Sequence, residues 1–187
     1  MTFYEIIILL SWLIFLFYWA FSALSVKRSK HIHIGRWLGT RAILILIILV
    51  LVRLNIFDFR NLGYIGGLNP LAAFIGTVAC VCGIAFALWA RYHLGRNWGM
   101  PMSEKENPEL VTTGPYAYVR HPIYTGIILA MFGSALAMNA GYFTISILAT
   151  GYFIYSARKE EQRMLTQFPI RYREYMGKTH MIIPFLL

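Results

Sequence analysis

Charge is what this sequence has least of. Only 13% of its 187 residues are charged, against 58% hydrophobic, and a soluble domain of this size would need about twice that charge to cover its surface. The shortage excludes an ordinary water-soluble globule and points to a lipid bilayer. Cysteine is equally scarce: Cys80 and Cys82 are the only two. On a helix they point about 200° apart, too divergent to share a disulfide or a metal, so they read as small apolar filler. Acidic residues number 8 against 17 basic ones. His31 and His33 have no acidic, Cys or further His neighbour in sequence, so they read as solvated loop residues and no metal site is expected. No repeat, low-complexity tract or flexible linker divides the chain, which makes a single membrane domain over 1–187 the simplest organisation.

Apolar runs are what the chain has in their place. The first, Tyr4 to Val26, is about 23 residues, or ~34 Å as a helix, enough to cross the hydrocarbon core. Its positive residues, Lys27, Arg28 and Lys30, follow the apolar stretch instead of preceding it, which disfavours a secretory signal peptide. A second run centres on Ala42 to Val52, flanked by Arg41 and Arg53, and a third covers Leu68 to Ala90 with many Gly and Ala residues for close helix packing. From Ile123 to Ala157 a long apolar region breaks at Asn139-Ala140-Gly141, suiting a hairpin of two helices of about 16 residues each, short for full crossings. The expected fold is therefore an all-α integral membrane protein of about five transmembrane helices. Residues 1–90 would hold three N-terminal membrane helices, and 91–187 a polar loop, the hairpin and a helical tail.

Basic residues cluster in the first and third connections and the tail, whereas only Arg53 and Arg60 would lie on the other side. The positive-inside rule then puts the N-terminus outside and the long loop and C-terminus in the cytoplasm. The net charge of +9 expresses that topology and attraction to membrane lipids. Nucleic acid is not expected as a partner, because the basic residues are divided among membrane-flanking segments.

The connection from Arg91 to Pro122 is longer than two antiparallel helices require, a property of functional loops. Leu110-Val111-Thr112 can run extended before a turn at Gly114-Pro115, offering backbone groups to a planar heterocycle with Val111 against its face. Arg120-His121-Pro122 opens the fourth span. Pro suits the first turn of a helix, and a helix N-terminus suits a carboxylate. Tyr124 follows His121 by three residues, so both side chains can enter one pocket. Further on, Arg158-Lys159-Glu160-Glu161-Gln162-Arg163 reads as a cytoplasmic extension of the fifth helix, ended or restarted at Pro169, with Tyr172, Tyr175 and Ile182-Ile183-Pro184-Phe185 able to fold back over the loop. Glu160 and Glu161 either form a surface ion network with Arg158, Lys159, Arg163 and Arg171 or offer a carboxylate to a ribose diol or a cation. Successive helical side chains diverge by about 100°, so only one of the two is expected to face the pocket.

The segments Leu110-Val111-Thr112-Thr113-Gly114-Pro115-Tyr116 and Arg120-His121-Pro122-Ile123-Tyr124-Thr125-Gly126, followed by Glu160-Glu161 with Leu165, Phe168, Tyr172, Tyr175 and Ile183-Pro184, resemble the signature of the isoprenylcysteine carboxyl methyltransferase and phospholipid methyltransferase family. The resemblance covers roughly Arg91 to the C-terminus. It implies a multi-spanning helical membrane enzyme that transfers a methyl group from S-adenosylmethionine to a lipophilic acceptor, foremost a carboxylate of the isoprenylcysteine kind. The cofactor segment would fall on Pro108, Glu109, Leu110 and Val111, then Tyr116, then His121, Pro122, Ile123 and Tyr124, and finally Glu160. Eukaryotic members carry a substrate-side Arg four residues before that Glu, where this chain has Ser156. Arg158 is the nearest replacement, but on another part of the helix, so a phospholipid amine or another lipophilic carboxylate also remains open as acceptor. A sulfonium methyl is already activated, so no metal is needed, and no general base is assigned. Sterol-type NADPH reductases share the tail pattern, but generally carry Asn-Tyr-x-Gly-acidic where this chain has His121 to Gly126. A non-catalytic membrane scaffold is the remaining alternative.

Overall fold

The computed structural model describes residues 2–23, 69–95, 109–139 and 141–183. Five α-helices and one 3-10 turn account for most of them: α1 (Phe3–Ala23), α2 (Pro70–Leu94), the turn Gly114–Ala117, α3 (Pro122–Ala137), α4 (Gly141–Gln167) and α5 (Arg171–Met176).

The helix starts follow from their capping residues. Thr2 and Glu5 satisfy each other's backbone N–H groups at the head of α1 (2.8 and 3.3 Å), a capping box that closes two donors the helix leaves open. Asn69 accepts from Leu71 and Ala72 at 3.0 and 3.2 Å, with Pro70 in the first turn of α2. At the other end Gly95 takes φ 52°, and its N–H returns to the carbonyls of Arg91 and Tyr92. Asn139 joins α3 to α4, its side chain accepting from Gly141 N at 2.8 Å, so the break expected at Asn139–Gly141 is the hairpin turn.

α2 and α3 run antiparallel along a seam of small residues. A Cβ added to Gly76 would lie 2.5 Å from the carbonyl oxygen of Gly133, and one added to Gly83 would lie 2.5 Å from that of Gly126. Because both pairs recur at seven-residue spacing, the contact stays on one face of each helix, as in left-handed pairing. Cys80 is fully buried in the same seam while Cys82 is exposed. Ser134 ties in α1, accepting from Trp12 Nε1 at 3.1 Å while its hydroxyl faces Cys80 Sγ at 3.4 Å.

α1 and α2 run parallel. Arg91, 2% exposed, donates to the carbonyls of Ser22 and Gly95 near the C-terminal ends of both helices, each at 2.8 Å, which neutralises two helix ends with one cation. Parallel packing is the relation the first and third expected spans would have. The second expected span, Ala42 to Val52, and with it the count of five, lies outside the described residues.

Phe3–Ser22 and Pro70–Leu94 are long and apolar enough to cross a membrane. Much of the outer face of α1 is apolar and exposed, including Leu13, Ile14, Leu16, Phe17 and Phe21, a surface that suits lipid and not water. α3, at 16 residues, spans about 24 Å, short of the ~30 Å hydrocarbon core. α4 continues unbroken for 27 residues, so its charged C-terminal half projects beyond its own apolar half. The C-terminal ends of α1 and α2, the N-terminus of α3 and this projecting part of α4 meet at one end of the bundle.

Candidate active site at the mouth of the bundle

The loop entering α3 is pinned first to α2. Gly114 adopts φ +61°, and a Cβ there would meet the His93 ring at 2.7 Å, so both conformation and space require glycine. His93 Nε2 and Thr113 Oγ1 are 2.8 Å apart. Tyr116 then turns inward. Its ring joins an apolar cluster with Ala90, Ile123, Val111 and Tyr124, its hydroxyl reaches the Ala90 carbonyl at 3.5 Å, and its own carbonyl accepts from the Tyr175 hydroxyl at 2.6 Å. Burial pushes the Tyr116 and Tyr175 phenols up, keeping both as neutral donors.

The C-terminal tail pins the next residues. Val119 and His180 form an isolated parallel bridge; Arg120 N donates to the His180 carbonyl at 2.8 Å and His121 N to that of Met181 at 3.0 Å. Thr125 Oγ1 donates to the Ile182 carbonyl at 2.5 Å. The expected fold-back of the tail over the loop therefore takes the form of a short strand-like pairing beside the signature. His121, with φ −123° and ψ 59°, stays out of the helical region as a residue before proline must, and its carbonyl accepts from Thr125 N at 3.0 Å.

This geometry delivers the His121 ring into a cluster of ionisable groups. It stacks on Tyr124 with centroids 5.5 Å apart and planes within 5°, the contact that three-residue spacing makes available. Tyr124 donates to Glu160 Oε1 at 2.5 Å. His121 Nδ1 lies 3.5 Å from Glu160 Oε2, and Nε2 lies 3.4 Å from Glu161 Oε1. The second contact is electrostatic and not an aligned hydrogen bond, because buried Nε2 has no partner of correct geometry. Glu161 is held in turn by Arg120 Nε at 2.6 Å, and Arg120 Nη1 donates to the carbonyls of Met176 and Thr179.

Burial alone would lower the pKa of His121, but the close carboxylates of Glu160 and Glu161 outweigh it and raise the value, favouring imidazolium. Burial would raise Glu161, yet His121 and Arg120 hold it below the ordinary carboxylate range. The two carboxylates differ in access: the Glu160 side chain is 30% exposed and that of Glu161 only 10%. Glu160 is therefore the more accessible of the two to a ligand.

Of the two glutamates, Glu160, the one expected at the pocket, is the more exposed, but both contact the same histidine. Both reach His121, one at each ring nitrogen, because the imidazole lies between their directions and spans the angle separating them. The alternative of a surface ion network with Arg158, Lys159, Arg163 and Arg171 does not form among the described residues; Glu161 pairs instead with Arg120, 41 residues away in sequence. Arg158 is exposed on α4, and Ser156 is buried.

Among the other expected site residues, Val111, Tyr116, Ile123 and Tyr124 share one cluster, and Pro122 is fully buried in the first turn of α3. Leu110 lines a cleft of about 370 Å3 together with Thr112, Ala117, Tyr175 and Thr179, with Arg171, Glu174 and Lys178 at its exposed border. Glu109 is exposed, and Pro108 lies outside the described residues. A larger groove on α1, lined by Leu13, Ile14, Phe17, Tyr18 and Phe21, offers almost no polar surface for chemistry and faces where lipid would be. Sequence reasoning did not assign Arg120 and Glu161 to the site. The conspicuous signal was a second glutamate beside the first, in a chain with so few acidic residues.

Residues 74–167 match the family model described as the isoprenylcysteine carboxyl methyltransferase family. Among curated proteins, methanethiol S-methyltransferase 1 of Bradyrhizobium diazoefficiens is 36% identical over 81 residues, covering 43% of this chain and 28% of that protein. Protein-S-isoprenylcysteine O-methyltransferase of Schizosaccharomyces pombe is 29% identical over 101 residues, covering 52% of this chain and 43% of its own. Among solved structures, the eukaryotic intramembrane Ras methyltransferase ICMT superposes with a TM-score of 0.56 at 28% identity, over 62% of this chain and 43% of that one. The matched stretches thus span less than half the length of these relatives.

Proposed function

The chain belongs to the isoprenylcysteine carboxyl methyltransferase family, and from that premise we propose that it transfers the methyl group of S-adenosylmethionine to a lipophilic acceptor within the membrane. The observation that carries this reading is the contact of Tyr124, Glu160 and His121 at the mouth of the bundle.

The donor set fits the cofactor. Glu160 is a partly open carboxylate suited to a ribose diol, an ammonium or a sulfonium. The N-terminus of α3 suits a carboxylate. Leu110, Val111 and the Tyr116 wall supply an apolar face for a heterocycle, with Pro108, Glu109, Pro122 and Ile123 completing the segment. When bound, S-adenosylmethionine supplies a methyl carbon already activated by its sulfonium, which needs no metal.

The protein's own work is positional. Tyr124 fixes the direction of Glu160, His121 holds that carboxylate from the other side, and the apolar cluster around Ile123 excludes water, so that an acceptor is aligned and desolvated before reaction. An ionised carboxylate would attack directly, whereas an amine would first have to lose its proton.

A lipophilic carboxylate of the isoprenylcysteine kind is the first reading of the acceptor. A thiol is the second, favoured by the similarity to methanethiol S-methyltransferases and by Ser156 standing where eukaryotic members carry a cation. The N-terminus would lie outside, with the signature loop and the tail in the cytoplasm, a topology that reporter fusions at both ends test. Methyl-labelled S-adenosylmethionine offered with an S-prenyl cysteine, an alkanethiol or a phosphatidylethanolamine vesicle decides the acceptor. Label is expected in the first or second; label in the lipid amine alone moves the assignment to phospholipid methylation, and none in any of them, with NADPH consumed on a sterol, to the reductase class.

A further inference from the structure

We propose that Arg120 and Glu161 are positioning residues: together they latch the C-terminal tail beside the signature and hold the His121 ring, which in turn holds Glu160. The role given to Glu160 rests on the methyltransferase reading above, whereas the latch itself does not.

Three observations converge on these two side chains. Both are only 10% exposed and joined at 2.6 Å, so neither is a surface ion whose partner water could replace. Arg120 uses its fork in two directions at once, Nε toward Glu161 on α4 and Nη1 toward the carbonyls of Met176 and Thr179 at the end of α5. A planar guanidinium can make that bridge; an ammonium cannot make it with the same reach. The carbonyls of His180 and Met181, immediately after this anchor, accept the N–H groups of Arg120 and His121 themselves. The latch is therefore closed on itself, since the residue that grips the tail is gripped by it.

His121 lies inside this loop of contacts. The groups facing it are Glu160 and Glu161 from α4 and Tyr124 from α3, with Arg120 beyond Glu161 and the tail contributing backbone at Met181. Glu161 Oε1 serves both Arg120 Nε and His121 Nε2, so one oxygen couples the tail anchor to the imidazole. Glu160 Oε1 is taken by Tyr124 and Oε2 faces His121 Nδ1. Loss of Glu161 removes one of the two carboxylates favouring imidazolium and frees the ring to turn, without touching the atoms that bind Glu160 to Tyr124.

The test uses the full chain in detergent and reads the latch separately from catalysis. Amide hydrogen exchange of Arg120 and His121 reports tail docking, because both N–H groups end on tail carbonyls. Glu161→Gln is expected to speed their exchange about tenfold or more while amides in the seam, such as Ile84 and Ala130, stay unchanged. Arg120→Lys, which keeps the charge and loses the fork, should speed them as well. The His121 imidazole, followed by NMR, should titrate at lower pH in Glu161→Gln than in the wild type, a shift that a merely structural contact would not produce. Unchanged Arg120 and His121 exchange in both variants, or an unshifted His121 titration, overturns the proposal. Should both variants fail to fold, the wild type decides: acidification that protonates Glu161 must release the Arg120 and His121 amides before those of α2 and α3, and simultaneous release overturns the latch. S-adenosylmethionine titrated into the same wild-type sample stands apart from these readouts. If the latch behaves as expected but the cofactor does not bind, the functional reading fails and the latch stands.

Discussion

The α2–α3 seam and the mouth of the bundle are made from opposite materials. In the seam, four glycines bring backbone against backbone, so its cohesion is close packing of atoms that need no partner. At the mouth, Arg120, His121, Glu160 and Glu161 form a chain of ion pairs in which each group keeps another from being buried alone. The seam can tolerate no added volume but is indifferent to pH. The mouth tolerates shape changes at its rim but depends on protonation. The contrast shows where this fold is rigid scaffold and where it has polar groups available for a ligand.

The largest effect is expected in the seam. Gly83→Ala or Gly126→Ala places a Cβ 2.5 or 2.6 Å from a backbone oxygen, and only separation of the helices relieves it, at a cost of about 3 kcal/mol or more. Thermal unfolding in detergent measures it. A loss below ~1 kcal/mol would mean that the helices do not meet as closely as described.

At the mouth, the substitution to make next is Glu160→Gln. Losing a charged hydrogen-bond acceptor should weaken S-adenosylmethionine by about ten- to a hundredfold, on the order of 1.5–3 kcal/mol, with little change in the unfolding midpoint. Glu161→Gln should instead lower stability first and weaken the cofactor less, because it acts on Glu160 only through His121. Identical behaviour of the two variants would erase the distinction between binding and positioning glutamates.

A smaller, pH-dependent effect separates the regions further. Glu161 is held below its ordinary 4.5 and His121 above its ordinary 6.5. The Glu161 contribution is complete above pH 4.5 and lost as pH falls through its folded value. That of His121 is complete below pH 6.5 and lost as pH rises through its raised value. The stability gap between wild type and Glu161→Gln should therefore be widest between about pH 4.5 and 6.5 and narrow on either side, whereas the cost of Gly83→Ala should stay flat. A gap independent of pH would remove the ion pair from the account.

The smallest effect is expected at exposed Arg158. Arg158→Gln should change stability by less than ~0.5 kcal/mol and leave cofactor affinity unaltered. A rise confined to the KM of an acidic acceptor would restore it as a substrate-side residue.

Much of this was legible in the sequence because it is local. Pro122 starting a helix, Tyr124 one turn from His121, the Asn139 turn and the break at Pro169 each follow from residues within a few positions of one another. The small residues of the third span announced close packing, though not that the partner helix would be α3. The pairing of Arg120 with Glu161 was not legible. It joins residues 41 apart, and the tail bridge joins residues about 60 apart; no periodicity encodes such contacts. The shared contact of the two glutamates with His121 was hidden for a related reason. Helical angles alone direct them apart, and only the tertiary placement of an imidazole between them reunites them.

Calorimetric titration of S-adenosylmethionine into the purified full chain, without added metal, decides whether the mouth of the bundle is a cofactor site. One site is expected, weakened by Glu160→Gln and by Tyr124→Ala in protein that still unfolds cooperatively. Absence of binding by the folded wild type, or selective binding of NADPH in its place, would contradict it.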